Sequence, residues 1–447
     1  MNTLPLLPDS FTASVIAYRN SRPVSRAEFL QEVLALAARL PDTGHVFNLC
    51  KDRYWFAVTL FAAISRGMLS VLPNSTAPEN IAALRAEVPD MVCLGDQDRP
   101  PFHDIPYMQI SDAALASSST ASVMPRIPFD QRIVSVYTSG STGKPQPHIK
   151  TFGRMQQCAA AEAERMWAAA GGPCAVLGTV PFQHLFGLES TVFLPIFGGG
   201  QLSTRLPFFP ADVISALAEL PEPRFLVTTP FHLRKLMDAD IEIPAVAAVL
   251  SATAPLSREL AIEAEARLGA PLMEIYGSTE TGQLATRQPT VQTEWKTYAG
   301  IVLNQSQGIT TATGGHLESM QALNDVVELT SPSSFRLIGR NSDLINIVGK
   351  RSSLAFLNQL ITSLPGVQDG IFCMPECDPE NDVPRLAAFV VAPQLDSADI
   401  LAALRARLDP IFLPRPIIFI DALPRNENGK IPAIAMSALI AAYLPKV

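Results

Sequence analysis

Apolar and polar positions follow two rhythms along this chain. Ser25, Arg26, Ala27 and Glu28 form a Ser-x-x-Glu capping box, and Phe29, Val33, Leu36, Ala37 and Leu40 follow at helical spacing, so a helix is predicted to start there. Short β-rich runs, Ile133 to Tyr137 and Phe225 to Val227, alternate with Ala-rich helical stretches, Cys158 to Ala170 and Arg258 to Leu268. That alternation predicts α/β layers with mostly parallel sheet. Near residue 340 the texture changes. Ile345-Asn346-Ile347-Val348 ends in Gly349, and Leu386 to Val391 and Ile417 to Ile420 read as strands of a small α+β unit. The expected division is residues 1–338, a hinge at 339–343 and a C-terminal unit at 344–447. The longest apolar run, Tyr54 to Ile64, is too short to span a bilayer. Proline is frequent but dispersed, and no internal repeat stands out.

Composition narrows the function classes. A chain of 447 residues that is 48% hydrophobic can bury more than one core, which agrees with the textural division. A formal net charge of −8 and a pI near 5.4 argue against nucleic acid or an anionic membrane as the partner, since either would need a basic stripe. A small molecule or a protein fits better. Met1 to Ser10 carries no basic segment followed by an apolar run, and the expected location is the cytoplasm. Cys50, Cys93, Cys158, Cys174, Cys373 and Cys377 lack paired metal-ligand spacing and read as reduced thiols.

The densest candidate chemistry is Tyr137-Thr138-Ser139-Gly140-Ser141-Thr142-Gly143-Lys144-Pro145, directly after a predicted strand. Glycines let backbone N–H groups approach phosphate oxygens, and the hydroxyls donate further hydrogen bonds. It is not a Walker loop: Thr138 stands where the first glycine belongs, and Pro145 where Ser or Thr would hold magnesium.

With that loop the sequence resembles the adenylate-forming superfamily of acyl-CoA synthetases, adenylation domains and luciferases. Further matches follow in the family's order. Val180 to Leu188 is similar to the segment walling the acid pocket, and Ser251-Ala252-Thr253-Ala254-Pro255-Leu256 to the adenine-side loop. Ile275-Tyr276-Gly277-Ser278-Thr279-Glu280 resembles the Tyr-Gly-x-Thr-Glu signature. Gly339-Arg340 and Ile347 to Arg351 resemble the hinge region, and Pro424-Arg425-Asn426-Glu427-Asn428-Gly429-Lys430 the C-terminal lysine motif. The resemblance implies a large N-terminal layered α/β domain with mixed sheets and a small mobile C-terminal α+β domain. It implies ATP and Mg²⁺ as cofactors and a carboxylic acid as substrate. The acyl group would pass from an acyl-adenylate to the thiol of an acyl carrier protein or of coenzyme A.

Roles follow residue by residue. Thr138 to Lys144 would grip the phosphates. Ala254, Pro255, Tyr276, Gly277 and Ser278 would line the adenine, with Tyr276 offering a flat face. Thr279 would reach the α-phosphate, and Glu280 would supply a hard oxygen to the Mg²⁺ that ATP carries in. Asp325, from its spacing to Gly339, and Arg340 are the expected ribose contacts, although the usual Thr-Gly before that Asp is absent. Lys430 would neutralise the charge that develops as carboxylate meets α-phosphate. Gly349 would admit the pantetheine arm. His184 would gate the acid site, the alternative being a satisfied core histidine.

Phe182, Phe186, Leu188 and Phe231, with Gly277, would form an apolar slot for an aryl or short acyl acid. The pocket-wall segment carries no carboxylate to hold an amine, which disfavours an amino acid. The compact N-terminal part is similar to small acid ligases of aryl-polyene and xanthomonadin-type pigment pathways, which implies a hydroxylated aromatic acid. Two departures stand out: Gln146-Pro147 replaces the usual Lys-Gly, and Ser342 occupies a hinge position where Asp or Lys is common. A catalytically silent module that kept the fold is the rival reading, opposed by the retention of Thr279, Glu280 and Lys430.

Overall fold

The computed structural model describes residues 2–8, 15–73, 78–98, 102, 105–112, 123–139, 145–340, 344–347, 350–375, 385–426, 429 and 431–444. The first predicted helix forms as Arg26–Ala37. The Glu28 N–H donates to Ser25 Oγ at 3.1 Å and the Ser25 N–H to Glu28 Oε2 at 2.8 Å, which satisfies two orphan donors of the first turn. The helix Arg258–Leu268 matches its predicted bounds. The one expected from Cys158 begins earlier, as Phe152–Ala170. Gly153 masks that start: the helix presses so close to Phe129 that a Cβ there would lie 2.2 Å from its ring.

Two sheets build the N-terminal part. A six-stranded sheet runs Pro145–Thr151, Arg132–Ser139, Leu69–Leu72, His45–Asn48, Met91–Gly95, Tyr107–Gln109, and only its first pairing is antiparallel. An eleven-stranded sheet is parallel only in its middle, from Leu272–Ser278 through Ala248–Ser251, Arg224–Thr228, Ala175–Gly178 and Gln201–Ser203 to Val15–Arg19. Beyond Ser278 its strands pair antiparallel. The mostly parallel expectation therefore holds for the first sheet and for half of the second. After Ser278 the chain no longer inserts crossover helices, and strands joined without them return antiparallel.

The apolar run at 54–64 becomes the helix Arg53–Ser65, buried on every side through Ile64. Its core joins side chains of both sheets, including Val46, Leu72 and Val134 of one and Ile16, Ala17 and Leu202 of the other, so it is an interior helix between layers. Helices Pro210–Ala218, Pro230–Asp238 and Arg258–Leu268 pack a separate cluster on the large sheet. No helix among the described residues is long and apolar enough to cross a membrane.

From Ile345 onward the buried side chains cluster only among themselves. Strands Asp369–Cys373, Ala387–Val391 and Ile417–Phe419 form a small mixed sheet. One core beside it takes in Leu357 and Leu404, from helices Leu354–Thr362 and Ser397–Arg405, and the other takes in Met436 and Ile440 of Ala433–Tyr443. This is a small α+β domain beside a large α/β one. Cys50, Cys93, Cys158, Cys174 and Cys373 are all free and buried, and Cys377 lies outside the described residues.

Candidate active site

Ligand sites of open α/β sheets lie beyond the carboxyl ends of the parallel strands, and the sequence-selected segments gather there. Strand Ala248–Ser251 runs into Ala252-Thr253-Ala254-Pro255, with Thr253 at φ +78°. Strand Leu272–Ser278 delivers Tyr276, Gly277 and Ser278. Its pairing with Gly282–Arg287 slips between Tyr276 and Gly277, and a Cβ on Gly277 would lie 2.2 Å from the Gly282 carbonyl oxygen, so only glycine fits this bulge.

The turn that follows is closed by its own side chains. The Ser278 N–H donates to Thr281 Oγ1 at 3.0 Å, the Thr281 N–H to Ser278 Oγ at 3.3 Å, and the Thr281 hydroxyl to the Gly282 carbonyl at 2.7 Å. Thr279 and Glu280 stand half-buried at its apex. Burial pushes the Glu280 carboxyl up, but the Ser278 hydroxyl, its own N–H, His148 and Lys150 outweigh it and hold the carboxyl below its ordinary range. His148 Nε2 is 4.0 Å from Glu280 Oε1. An ionised carboxylate on an ordered turn suits a magnesium ion that takes its other ligands from phosphate and water. Among the described residues no group of three or more His, Cys, Asp or Glu could hold a metal without such help.

The Tyr276 hydroxyl donates to Asp325 Oδ2 at 2.6 Å, and Asp325 faces Arg340 in the strand register. Three residues selected for the nucleotide thus meet across 64 positions of sequence, from 276 to 340. The Tyr276 ring is braced edge-on by Phe335 at 5.2 Å and tilted against Trp295 at 5.7 Å. Thr138 and Ser139 end the strand Arg132–Ser139. Gly140, Ser141, Thr142, Gly143 and Lys144 lie outside the described residues, as do Gly349, Lys430 and the stretch 341–343.

The pocket-wall segment folds back sharply, since a Cβ on Gly187 would lie 2.1 Å from the Pro181 carbonyl oxygen. His184, half-buried, precedes the short helix Leu185–Leu188, and a π-helical turn Glu189–Phe193 follows. Phe186 is half-buried against the cluster containing Val180, Ala252 and Ile275, so this wall meets both the adenine-side loop and the signature strand. Phe182 departs from the expected slot. It is 0% exposed, with its ring 4.8 Å from that of Phe56 and the Arg53 guanidinium 5.4 Å away. Leu188 is likewise fully buried, because the tight turn aims both side chains into the interlayer core, and Phe186 and Phe231 remain as candidate lining.

Phe231 also receives the C-terminal domain. Gly429, at φ +71°, sits so close that a Cβ there would be 2.9 Å from Phe231 Cβ. Arg425 holds that loop: Nε and Nη2 donate to the two oxygens of Asp369 at 2.7 Å each, and Nη1 donates to the Gly429 carbonyl at 2.7 Å.

Sequence reasoning passed over Lys150, Thr281 and Glu189. Thr281 directly follows the recognised signature, and its turn-closing role was readable from the Ser-x-x-Thr spacing of Ser278 and Thr281. Lys150 and Glu189 carry no local signal, because their importance arises from burial.

Comparison with known proteins agrees with this geometry. A family model described as AMP-binding enzyme matches residues 11–307, and one described as AMP-binding enzyme C-terminal domain matches residues 358–430. A 4-coumarate–CoA ligase of Rhodobacter capsulatus is 29% identical over 332 residues, covering 72% of this chain and 78% of the relative. A 2-succinylbenzoate–CoA ligase of Bacillus cereus is 24% identical, covering 91% and 92%. Among solved structures, the o-succinylbenzoate CoA synthetase of Bacillus subtilis with its acyl-adenylate intermediate superposes with a TM-score of 0.82 at 18% identity, covering 100% of this chain and 99% of that one. The anthranilate CoA ligase AuaEII with anthranoyl-AMP gives 0.82 at 14% identity, with 99% of both chains covered. The structural likeness speaks to the fold, and the family models, which take in the phosphate loop, the signature turn and the lysine loop between them, carry the assignment: the chain belongs to the AMP-binding enzyme family and is an adenylate-forming enzyme.

Proposed function

We propose that this enzyme is an acid–thiol ligase that activates an aromatic carboxylic acid of the hydroxybenzoate type as its acyl-adenylate and passes the acyl group to the phosphopantetheine thiol of an acyl carrier protein. The observation that carries the adenylation reading is the meeting, at one strand-end face, of the Tyr276–Asp325 pair, the Glu280 turn and the loop ending at Gly429. In the first half-reaction a carboxylate oxygen of the acid attacks the α-phosphorus of ATP and the bond to pyrophosphate breaks. Thr138 to Lys144 hold the phosphates, Tyr276 and Ala254-Pro255 the adenine, Asp325 and Arg340 the ribose, and Thr279 the α-phosphate. Glu280 would hold the magnesium that accompanies ATP, which would supply charge neutralisation. Lys430, the residue after Gly429 in sequence, neutralises the charge at the meeting of the two anions. In the second half-reaction the sulfur attacks the acyl carbonyl and the bond to AMP breaks. The C-terminal domain would pivot at 339–343, so that Gly349 replaces Lys430 at the site.

Support for an aryl acid comes from the apolar, carboxylate-free character of Phe186 and Phe231, and from relatives named for coumarate and succinylbenzoate. Those relatives are named CoA ligases, which favours a second reading in which free coenzyme A is the acceptor. ATP–pyrophosphate exchange over a panel of hydroxylated benzoates, cinnamates and short-chain acids tests the first half-reaction. Thioester formation with coenzyme A and with pantetheinylated carrier protein, assayed in parallel, separates the acceptors. Absence of exchange with every aryl acid would sink the substrate reading.

A further inference from the structure

Strand Pro145–Thr151 leaves the phosphate loop and runs back along Arg132–Ser139. Its side chains alternate, so His148 and Lys150 share a face. Both address Glu280. His148 approaches the carboxylate, while Lys150 Nζ donates to the Glu280 main-chain carbonyl at 3.2 Å. Lys150 is only 5% exposed. A lysine is seldom buried without a charged partner, and the opposing charges acting on this one are Glu189, Glu318 and Glu280. Burial lowers its pKa, and those carboxylates work against the shift.

Glu189 stands close against the other end of the same turn. Its Oε1 lies 2.8 Å from where a Cβ on Gly282 would sit, and it accepts from Cys158 Sγ at 3.7 Å. It opens the π-helical turn Glu189–Phe193, a distortion often found where a side chain is re-aimed for function. Strand pairing slips after Lys150, and Thr151 is tied separately to Glu318 through its N–H at 2.7 Å and its hydroxyl at 2.9 Å. The ammonium is therefore held at a fixed depth below the turn.

We infer that Lys150 is a positioning residue for adenylation, a buried cation that ties the strand continuing the phosphate loop to the turn Ser278–Gly282 and so fixes the direction of Glu280. This rests on the nucleotide-facing role of Glu280 proposed above. Without the ammonium, the Glu280 carbonyl loses its donor and the carboxylate loses its fixed relation to the phosphates.

The test uses the full-length protein and calorimetric titration with magnesium and an ATP analogue bearing a methylene between the α- and β-phosphorus atoms. Binding is thus read independently of turnover, and failure of wild-type pyrophosphate exchange would count against the adenylation reading alone. K150M is expected to weaken binding on the order of tenfold, the effect of removing a charged hydrogen bond from a half-buried acceptor. Should K150M not fold, K150M/E189Q carries the test, since it removes the buried Glu189 carboxyl that K150M would leave without the nearby ammonium. Its binding should stay weak. Adding E280A to K150M/E189Q should then cost far less than adding E280A to wild type, because both changes remove the same placement. Wild-type affinity in either Lys150 variant, or a full additional loss from E280A in the K150M/E189Q background, would overturn the proposal.

Discussion

Replacing Arg425 with methionine probes how the lysine loop is brought to the active site. Three donors are lost, two to Asp369 and one to the Gly429 carbonyl, each at 2.7 Å. The two charged side chains are 22% and 23% exposed, so solvent screens the pair and its contribution falls below that of a fully buried fork. Taking about 2 to 3 kcal/mol for the set places the loop's competent arrangement roughly 30- to 150-fold lower in population. ATP–pyrophosphate exchange should fall by that factor. Thioester formation from chemically supplied acyl-adenylate should change little, because under the proposed pivot that step would use a different face of the small domain. Lysine at the same place cannot reproduce the planar fork and should recover only part of the loss. Circular dichroism and a melting curve check that the small domain remains folded. Exchange within about threefold of wild type in a folded Arg425→Met protein would refute the reasoning, since that is under 1 kcal/mol.

Glu280→Ala should lower magnesium-dependent exchange on the order of 10²-fold, and activity within about threefold of wild type would count against its metal role. Lys430→Ala should suppress acyl-adenylate formation yet spare transfer from supplied acyl-adenylate, whereas Gly349→Leu should do the reverse, and single-turnover assays of each half-reaction distinguish them. Glu162, fully buried with its Oε1 accepting from the Ser190 hydroxyl at 2.6 Å, is pushed by burial from its ordinary 4.5 up to about 8. Between those values the folded protein keeps a proton that the unfolded chain has released, so this group's contribution to stability declines as pH rises through the window. Glu162→Gln should flatten that decline, which melting temperatures at pH 5 and pH 9 would show.

The turn after Tyr276 and the capping box at Ser25 were legible because each is a local arrangement whose residue types carry its geometry. The pocket wall was legible as a segment but not in its details. Phe182 and Phe186 are four residues apart and equally apolar, yet the turn at Pro181–Gly187 sends one into the interlayer core and leaves the other half-buried.

What the sequence determined by itself is therefore the set of short-range devices: helix starts, strand runs and the closed turn after Tyr276, all governed by neighbours a few positions apart. Tertiary structure alone decided which of them touch. Tyr276 bonds to Asp325 across 49 positions, Lys150 reaches the Glu280 carbonyl across 130, and Gly429 comes to rest on Phe231. Burial is the physical reason. A lysine on a strand is an ordinary surface cation until the fold encloses it, and at 5% exposure the hydrogen bond from Lys150 to the Glu280 carbonyl is stronger than it would be in water.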